Sequence, residues 1–180
     1  VKIQRPGIRK TIEADLEIIL HLAGIMERNI QEMAFYRPVK IVEEFAKTLE
    51  KELDYTIEAA NMERMAAQFL SDRTIHIPGV YAAESSERVL TMEFIDGIKA
   101  SDIDAIDRAG LDRKTITRRG ADFIMKQVFE HGFFHADPHP GNLILHGRQI
   151  GLLDGGMVVT LPPTLRREIS ALLLAFSEGE

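Results

Sequence analysis

Apolar residues recur along this chain with two periods, and the switches between them mark its elements. Residues 1–4 read as a strand end closed by Arg5-Pro6-Gly7. Ile12, Leu16, Ile19, Leu20, Ala23 and Met26 then fall at helical spacing and predict a helix over about 10–28. Pro38 stands where a first-turn proline would. From it Val42, Phe45, Leu49 and Leu53 form the apolar stripe of a second long helix, running to about Leu70. Two strand-like runs, 77–82 and 88–95, predict a hairpin across the polar turn 84–87, and Asp96-Gly97 reads as a hinge.

Further along, Ser101 is placed to cap a short helix to about Arg108. Leu111-Asp112 leads into a longer helix through Ile116, Ala121, Phe123, Ile124 and Val128, ending near His131-Gly132. Residues 133–134, 143–145 and 150–153 are short apolar runs suited to buried strands. Pro162-Pro163 opens a last helix carrying Leu165, Ile169, Leu172, Leu173 and Phe176. The pattern is α+β and helix-rich, with no internal repeat.

Composition narrows the class. A hydrophobic content of 45% over 180 residues can bury a core, so the chain should be globular. The net charge of −6, with both signs interspersed, argues against a nucleic-acid footprint or a polybasic membrane patch. Cysteine is absent, which excludes disulfides and thiolate metal sites, and no apolar run is long enough to span a bilayer. The chain starts at Val1 inside a strand pattern, so a fragment of a larger protein is expected.

The chemistry concentrates in His135-Ala136-Asp137-Pro138-His139-Pro140-Gly141-Asn142, followed by Asp154-Gly155-Gly156. Two prolines and a glycine between Asp137 and Asn142 make this a rigid irregular loop that can fix a carboxylate and an amide side by side. Protein kinases use such a loop, H-R-D-x-x-x-x-N, with a second Asp after a following hairpin. The same roles fall on Asp137, to orient or deprotonate an attacking hydroxyl, and on Asn142 and Asp154, as hard oxygen ligands for magnesium on nucleotide phosphates. An ordinary turn using Asp137 and Asn142 to satisfy its own backbone is the plainer reading. A zinc helix through His131, His135 and His139 has the spacing, but Pro138 and Pro140 interrupt any helix there.

Two further groups complete a nucleotide site. Asp54, Glu58, Asn61 and Met65 share one helix face, which composition alone reads as solvated. Lys2 on an upstream strand changes that reading. Kinases pair a strand Lys with a carboxylate on a neighbouring helix to hold phosphates, and Glu58 is the carboxylate chosen here. The backbone from Glu93 to Ile95, at the predicted hinge, could hydrogen-bond an adenine.

Taken in order, Lys2, Glu58, Asp137, Asn142 and Asp154 resemble the UbiB/AarF-type atypical kinases, a family tied to ubiquinone biosynthesis. Residues 1–7 resemble the family's Lys strand, Glu52-Leu53-Asp54 its E-x-D motif, Glu58 and Asn61 its E-A-x-N run, and residues 134–142 its catalytic loop. The resemblance covers the whole chain. It implies a two-lobed protein-kinase-like fold, with residues 1–95 a partial N-lobe carrying a helical insert and 96–180 a partial C-lobe. The first N-lobe strands and the end of the C-lobe would lie outside the chain. It also implies ATP (or ADP) and Mg2+ as cofactors, a K-x-G-Q segment and an Ala-rich loop before Val1, and any membrane-anchoring helices after Glu180. Glu52, with Asp54, would be regulatory, the Glu meeting the K-x-G-Q lysine to restrain ordinary kinase activity.

The implied location is the cytoplasmic side, peripheral to the inner membrane in a bacterium, or mitochondrial or plastid in a eukaryote. Membrane association would come only through segments outside this chain. Possible partners are quinone-biosynthesis proteins, with no nucleic acid. Gly155 departs from the bulky residue of D-F-G. Ala136 in place of the Arg of H-R-D, together with the short stretch from Asp154 to Pro162, leaves scarcely any activation loop. A small or lipid-like phosphate acceptor is therefore expected rather than a protein. Two other readings stay open: a nucleotide-binding pseudokinase scaffold regulating a biosynthetic complex, and an antibiotic- or choline-kinase-like phosphotransferase. The latter leaves Glu52-Leu53-Asp54 and the helical insert unexplained.

Overall fold

The computed structural model describes residues 1–178, which form two compact units. One comprises Val1–Ile57 with Ala82–Thr91; the other comprises Glu58–Tyr81 with the chain from Met92 onward.

In the first unit, β1 (Lys2–Ile3) pairs antiparallel with β3 (Val89–Leu90), Lys2 facing Leu90. Gly7, at φ 78, lets the chain turn into α1 (Ile8–Asn29). A short helix, α2 (Gln31–Tyr36), returns the chain to α3 (Pro38–Glu52), which packs on α1. Glu27 of α1 accepts from the Val39 N–H at 3.2 Å, giving the start of α3 a carboxylate where its free N–H groups are exposed.

The single helix expected from Pro38 to Leu70 is in fact two, α3 and α4 (Tyr55–Gln68). Asp54 is the reason. Its Oδ1 accepts from Thr56 N at 2.9 Å and Thr56 Oγ1 at 2.6 Å, the pattern of a new helix cap, while the Leu53 carbonyl accepts from Gln4 Nε2 at 2.9 Å. A short Asp side chain offers the backbone an alternative to the helical ladder, and here a tertiary partner takes the carbonyl that propagation would have used.

The second unit holds a four-stranded sheet in the order β2 (Ile75–His76), β7 (Gln149–Leu152), β6 (Leu143–His146), β4 (Ile98–Lys99). β2 and β7 are parallel and the other pairs antiparallel. β6 and β7 form a tight hairpin, with Gly147 at φ 57 in its turn. The expected hairpin of 77–82 with 88–95 shrinks to an isolated Val80–Met92 bridge and a bond from Glu93 N to Gly79 O, because Val89 and Leu90 pair with β1 instead. Asp102, rather than Ser101, caps α5 (Ile103–Arg108), accepting from Ala105 N at 2.9 Å.

Asp112 caps α6 (Arg113–Met125), which runs on as a π-helical turn over Lys126–His131 and stops at Gly132, φ 63. β5 (Phe133–His135) pairs with β8 (Val158–Thr160), and α7 (Pro163–Glu178) follows. Met62 and Met65 of α4, with Phe69 just beyond its end, enter one core with Ile75, Ile106, Phe123, Phe133, Leu145, Ile150 and Leu152. Each such side chain contributes about 1.5–3 kcal/mol when fully buried, so this core anchors α4 against the sheet that carries the loop 135–142.

Candidate active site

The loop 135–142 is braced from three sides. Gln127, buried in the π-turn, accepts from His135 N–H at 2.8 Å through its Oε1. His135 is itself buried, and its Nδ1 accepts from Asp137 N–H at 3.2 Å, fixing the catalytic aspartate candidate at its own backbone. A π-turn inserts an extra residue into the helical ladder and re-aims the side chains after it, which is how Gln127 comes to face the loop. The turn Pro140–Asn142 then closes with Asn142 N donating to His139 O at 2.9 Å, and His139 Nδ1 accepting from Gly141 N at 3.0 Å.

Asn142 immediately precedes β6, and Leu153 N donates to its carbonyl at 2.8 Å, extending the hairpin ladder by one rung. The next residue is Asp154. Asn142 Nδ2 consequently lies 3.4 Å from Asp154 Oδ2, and His135 Nε2 lies 3.8 Å from the same oxygen. His135 Nε2 is buried with no hydrogen-bond partner. With Nδ1 accepting from the backbone, the ring proton belongs on Nε2, facing the Asp154 carboxylate.

Asp137 itself is exposed, as a group that must reach a substrate has to be. The three histidines do not converge. His131 stacks edge-on against Phe69, His135 faces Asp154, and His139 serves its own turn. Among the described residues no group of three His, Asp or Glu side chains gathers as a metal cluster. Magnesium is held through one or two protein ligands plus phosphate oxygens, so the donor set Asn142 and Asp154 fits that ion.

The remaining candidates fall as follows. Lys2 is on β1, its Nζ 5.3 Å from the Tyr55 ring centroid, within the first unit. Glu58 is buried on α4, where its Oε1 accepts from Gly155 N–H at 3.3 Å. Glu93 N–H is committed to Gly79 O at 2.8 Å, and its carboxylate to His76 Nε2 at 2.9 Å and Gly79 N at 3.2 Å. The Gly79 N–H and then His76 hold the Glu93 carboxyl below its ordinary range. Ile95 is buried, whereas Phe94 between them is exposed. Glu52 ends α3, exposed, and Asp54 caps α4. Gln127 and His135 escaped sequence reasoning as supporting residues; a glutamine beside the apolar pair Val128-Phe129, just before the loop, was the available signal.

After Asp154 the chain turns straight back. Ala136 N donates to Met157 O and Leu161 N to Gly132 O, both at 2.8 Å, so β8 lies directly against β5. β8 fills most of the stretch between Gly156 and α7.

An α+β fold that presents an Asp-x4-Asn loop beside an Asp at the end of the following hairpin is of the protein-kinase-like class. Within that class the chain belongs to the ABC1 atypical kinase-like domain family, whose model matches residues 1–180. A relative from Aliivibrio fischeri named "Probable protein kinase UbiB" is 37% identical over 186 residues, covering 100% of this chain and 34% of its own length. "Protein ACTIVITY OF BC1 COMPLEX KINASE 8, chloroplastic" of Arabidopsis thaliana is 36% identical over 181 residues, covering 98% of this chain and 23% of its own. The solved structure of Rv3197 from Mycobacterium tuberculosis, in complex with erythromycin, superposes with a TM-score of 0.75 at 27% identity, covering 98% of this chain and 46% of that one. The chain thus spans about a third or less of the curated relatives' length.

Proposed function

We propose that this chain is the phosphoryl-transfer part of an ATP-binding atypical kinase or ATPase that supports isoprenoid-quinone (ubiquinone) biosynthesis. The observation that carries the reading is the convergence of Asn142 and Asp154 at 3.4 Å beside a loop whose Asp137 is fixed by His135. Asn142 and Asp154 would hold Mg2+, which when bound neutralises charge on the nucleotide phosphates. Asp137, exposed, would orient the attacking hydroxyl or water and take its proton. Lys2 would grip the phosphates with Glu58 as its carboxylate partner; a carboxylate has room for both a lysine and the Gly155 N–H. Backbone carbonyls at Glu93 and Ile95 would receive the adenine, since the Glu93 N–H is already engaged. Glu52 and Asp54 would carry the family's restraint, with Asp54 also setting where α4 begins.

The immediate pairing of β8 with β5 supports a small or lipid-like acceptor, because a docked protein substrate needs an extended segment where this chain has a ladder. Quinone-biosynthesis proteins are the proposed partners. The proposed location is peripheral to a membrane, on its cytoplasmic side in a bacterium or inside a mitochondrion or plastid. Among the described residues no helix is long and apolar enough to cross a bilayer.

The decisive experiment is Asp137→Asn in the full-length protein. ATP turnover should fall by about 10²–10⁴-fold, the usual worth of a general base, with Mg-nucleotide binding retained and quinone production lost in cells. Intact quinone production with turnover abolished would instead establish a nucleotide-binding scaffold.

A further inference from the structure

Kinases hold the Asp of D-F-G in place through the bulky residue after it, and here that residue is Gly155. A side chain could not simply be added. A Cβ at Gly155 would lie 2.7 Å from Met62 Cγ, 2.9 Å from Met62 Sδ and 3.3 Å from Glu58 O. Met62 is fully buried, so the room a residue 155 side chain would take is filled from α4. The same helix grips the Gly155 backbone at both polar groups. Glu58 Oε1 accepts from its N–H at 3.3 Å, and Asn61 Nδ2 donates to its carbonyl at 2.9 Å. Glu58 and Asn61 stand three apart on α4, so they project to one face and bracket a single residue.

We propose that Asn61 is the positioning residue for the Asp154 carboxylate, doing by hydrogen bond what the absent side chain at 155 does by packing. This rests on the reading of Asp154 as a magnesium ligand. A residue held at both N–H and carbonyl cannot turn about its φ and ψ independently, and Asp154 is joined directly to it. Removing the Asn61 donor frees the carbonyl side of Gly155 and lets Asp154 swing away from Asn142.

The test uses the full-length protein with Asn61→Asp, which keeps the shape and sets an acceptor against the Gly155 carbonyl, and Asn61→Ala as a second variant. In the nucleotide-free protein, amide exchange at residues 154–156 should accelerate at least about tenfold, with exchange in the sheet unchanged. The Mg2+ concentration needed for ADP binding should rise about 10–100-fold, the usual cost of losing a group that orients a metal ligand, with Mg-free ADP affinity unaltered. Unchanged exchange at 154–156, acceleration spread evenly over the sheet, or an unaltered Mg2+ requirement would each overturn the proposal. The wild-type titration separates the two readings: ADP binding indifferent to Mg2+ removes the metal site itself, and the proposal with it, whatever the variants do.

Discussion

Asn142 Nδ2 and Asp154 Oδ2 stand 3.4 Å apart although twelve residues separate them, because Leu153 N–H donates to the Asn142 carbonyl at the open end of the β6–β7 hairpin. A backbone rung, rather than attraction between the side chains, sets their spacing. The pair is long for a hydrogen bond. To share an ion with Asp154, Asn142 would present its Oδ1 rather than the Nδ2 that faces the carboxylate.

Asp154→Ala should therefore separate binding from stability. In the full-length protein, Mg2+-dependent ADP affinity should drop by more than the about 10–100-fold expected for an outer partner. Stability should change by no more than about 1 kcal/mol, since the carboxylate is partly exposed and outside the core. Calorimetric titration together with urea unfolding checks both, and tight Mg2+-dependent binding by the variant would dismiss Asp154 as a ligand.

Gln127 offers the opposite profile. Gln127→Leu keeps an apolar volume but leaves the His135 N–H buried without its acceptor, at a cost of about 1–3 kcal/mol. Denaturant unfolding should show a lower midpoint with unchanged slope, and turnover should fall because the Asp137 backbone hangs from His135. A variant as stable as wild type would show that the loop is braced elsewhere.

Asp72 and Lys126 tie the approach to β2 to the π-turn through a 2.6 Å bond. The Lys126 ammonium, then Thr74, hold the Asp72 carboxyl down to about 2, well below the ordinary carboxylate range. A depressed carboxylate stabilises the fold above its unfolded pKa, and the contribution disappears as pH falls from about 4 to about 2. With Lys126 half-exposed, the share is on the order of 1–2 kcal/mol. The stability gap between wild type and Asp72→Asn, measured by urea unfolding, should be full at pH 6 and shrink below about pH 4. A gap that does not vary with pH would show that the charge of the Asp72 carboxylate, whether held by Lys126 or by Thr74, is not what stabilises this turn.

How much of this was legible beforehand differs by element. The helix starts at Asp112 and Pro163, the stop at Gly132 and the buried runs of β5, β6 and β7 are local, and spacing finds them. The break between α3 and α4 was missed because the apolar stripe continues through it. The bonds of Asp54, of the Leu53 carbonyl to Gln4 and of the Tyr55 N–H to the Glu87 carbonyl end the helix there. β4 and β8 are short and have no strong periodicity, so their existence depends on the partners β6 and β5. At the site, Asp137, Asn142 and Asp154 were readable as a spaced motif and Asn61 as part of the E-A-x-N resemblance, while the bond of Asn61 to Gly155 and the role of Gln127 had no local signal.

The sequence by itself determined which residue types could do the chemistry and in what order. A rigid Pro- and Gly-punctuated loop with Asp137 and Asn142, then Asp154 after a hairpin, is a property of neighbours along the chain. Tertiary structure alone decided what holds them. The bond from Asn61 to Gly155 joins residues 94 apart, and a contact of that kind exists only once burial of Met62, Met65 and Phe69 has fixed α4 against the sheet. Hydrogen bonds so distant in sequence have no local signature, because their cost in chain entropy is met by the core rather than by the residues that make them.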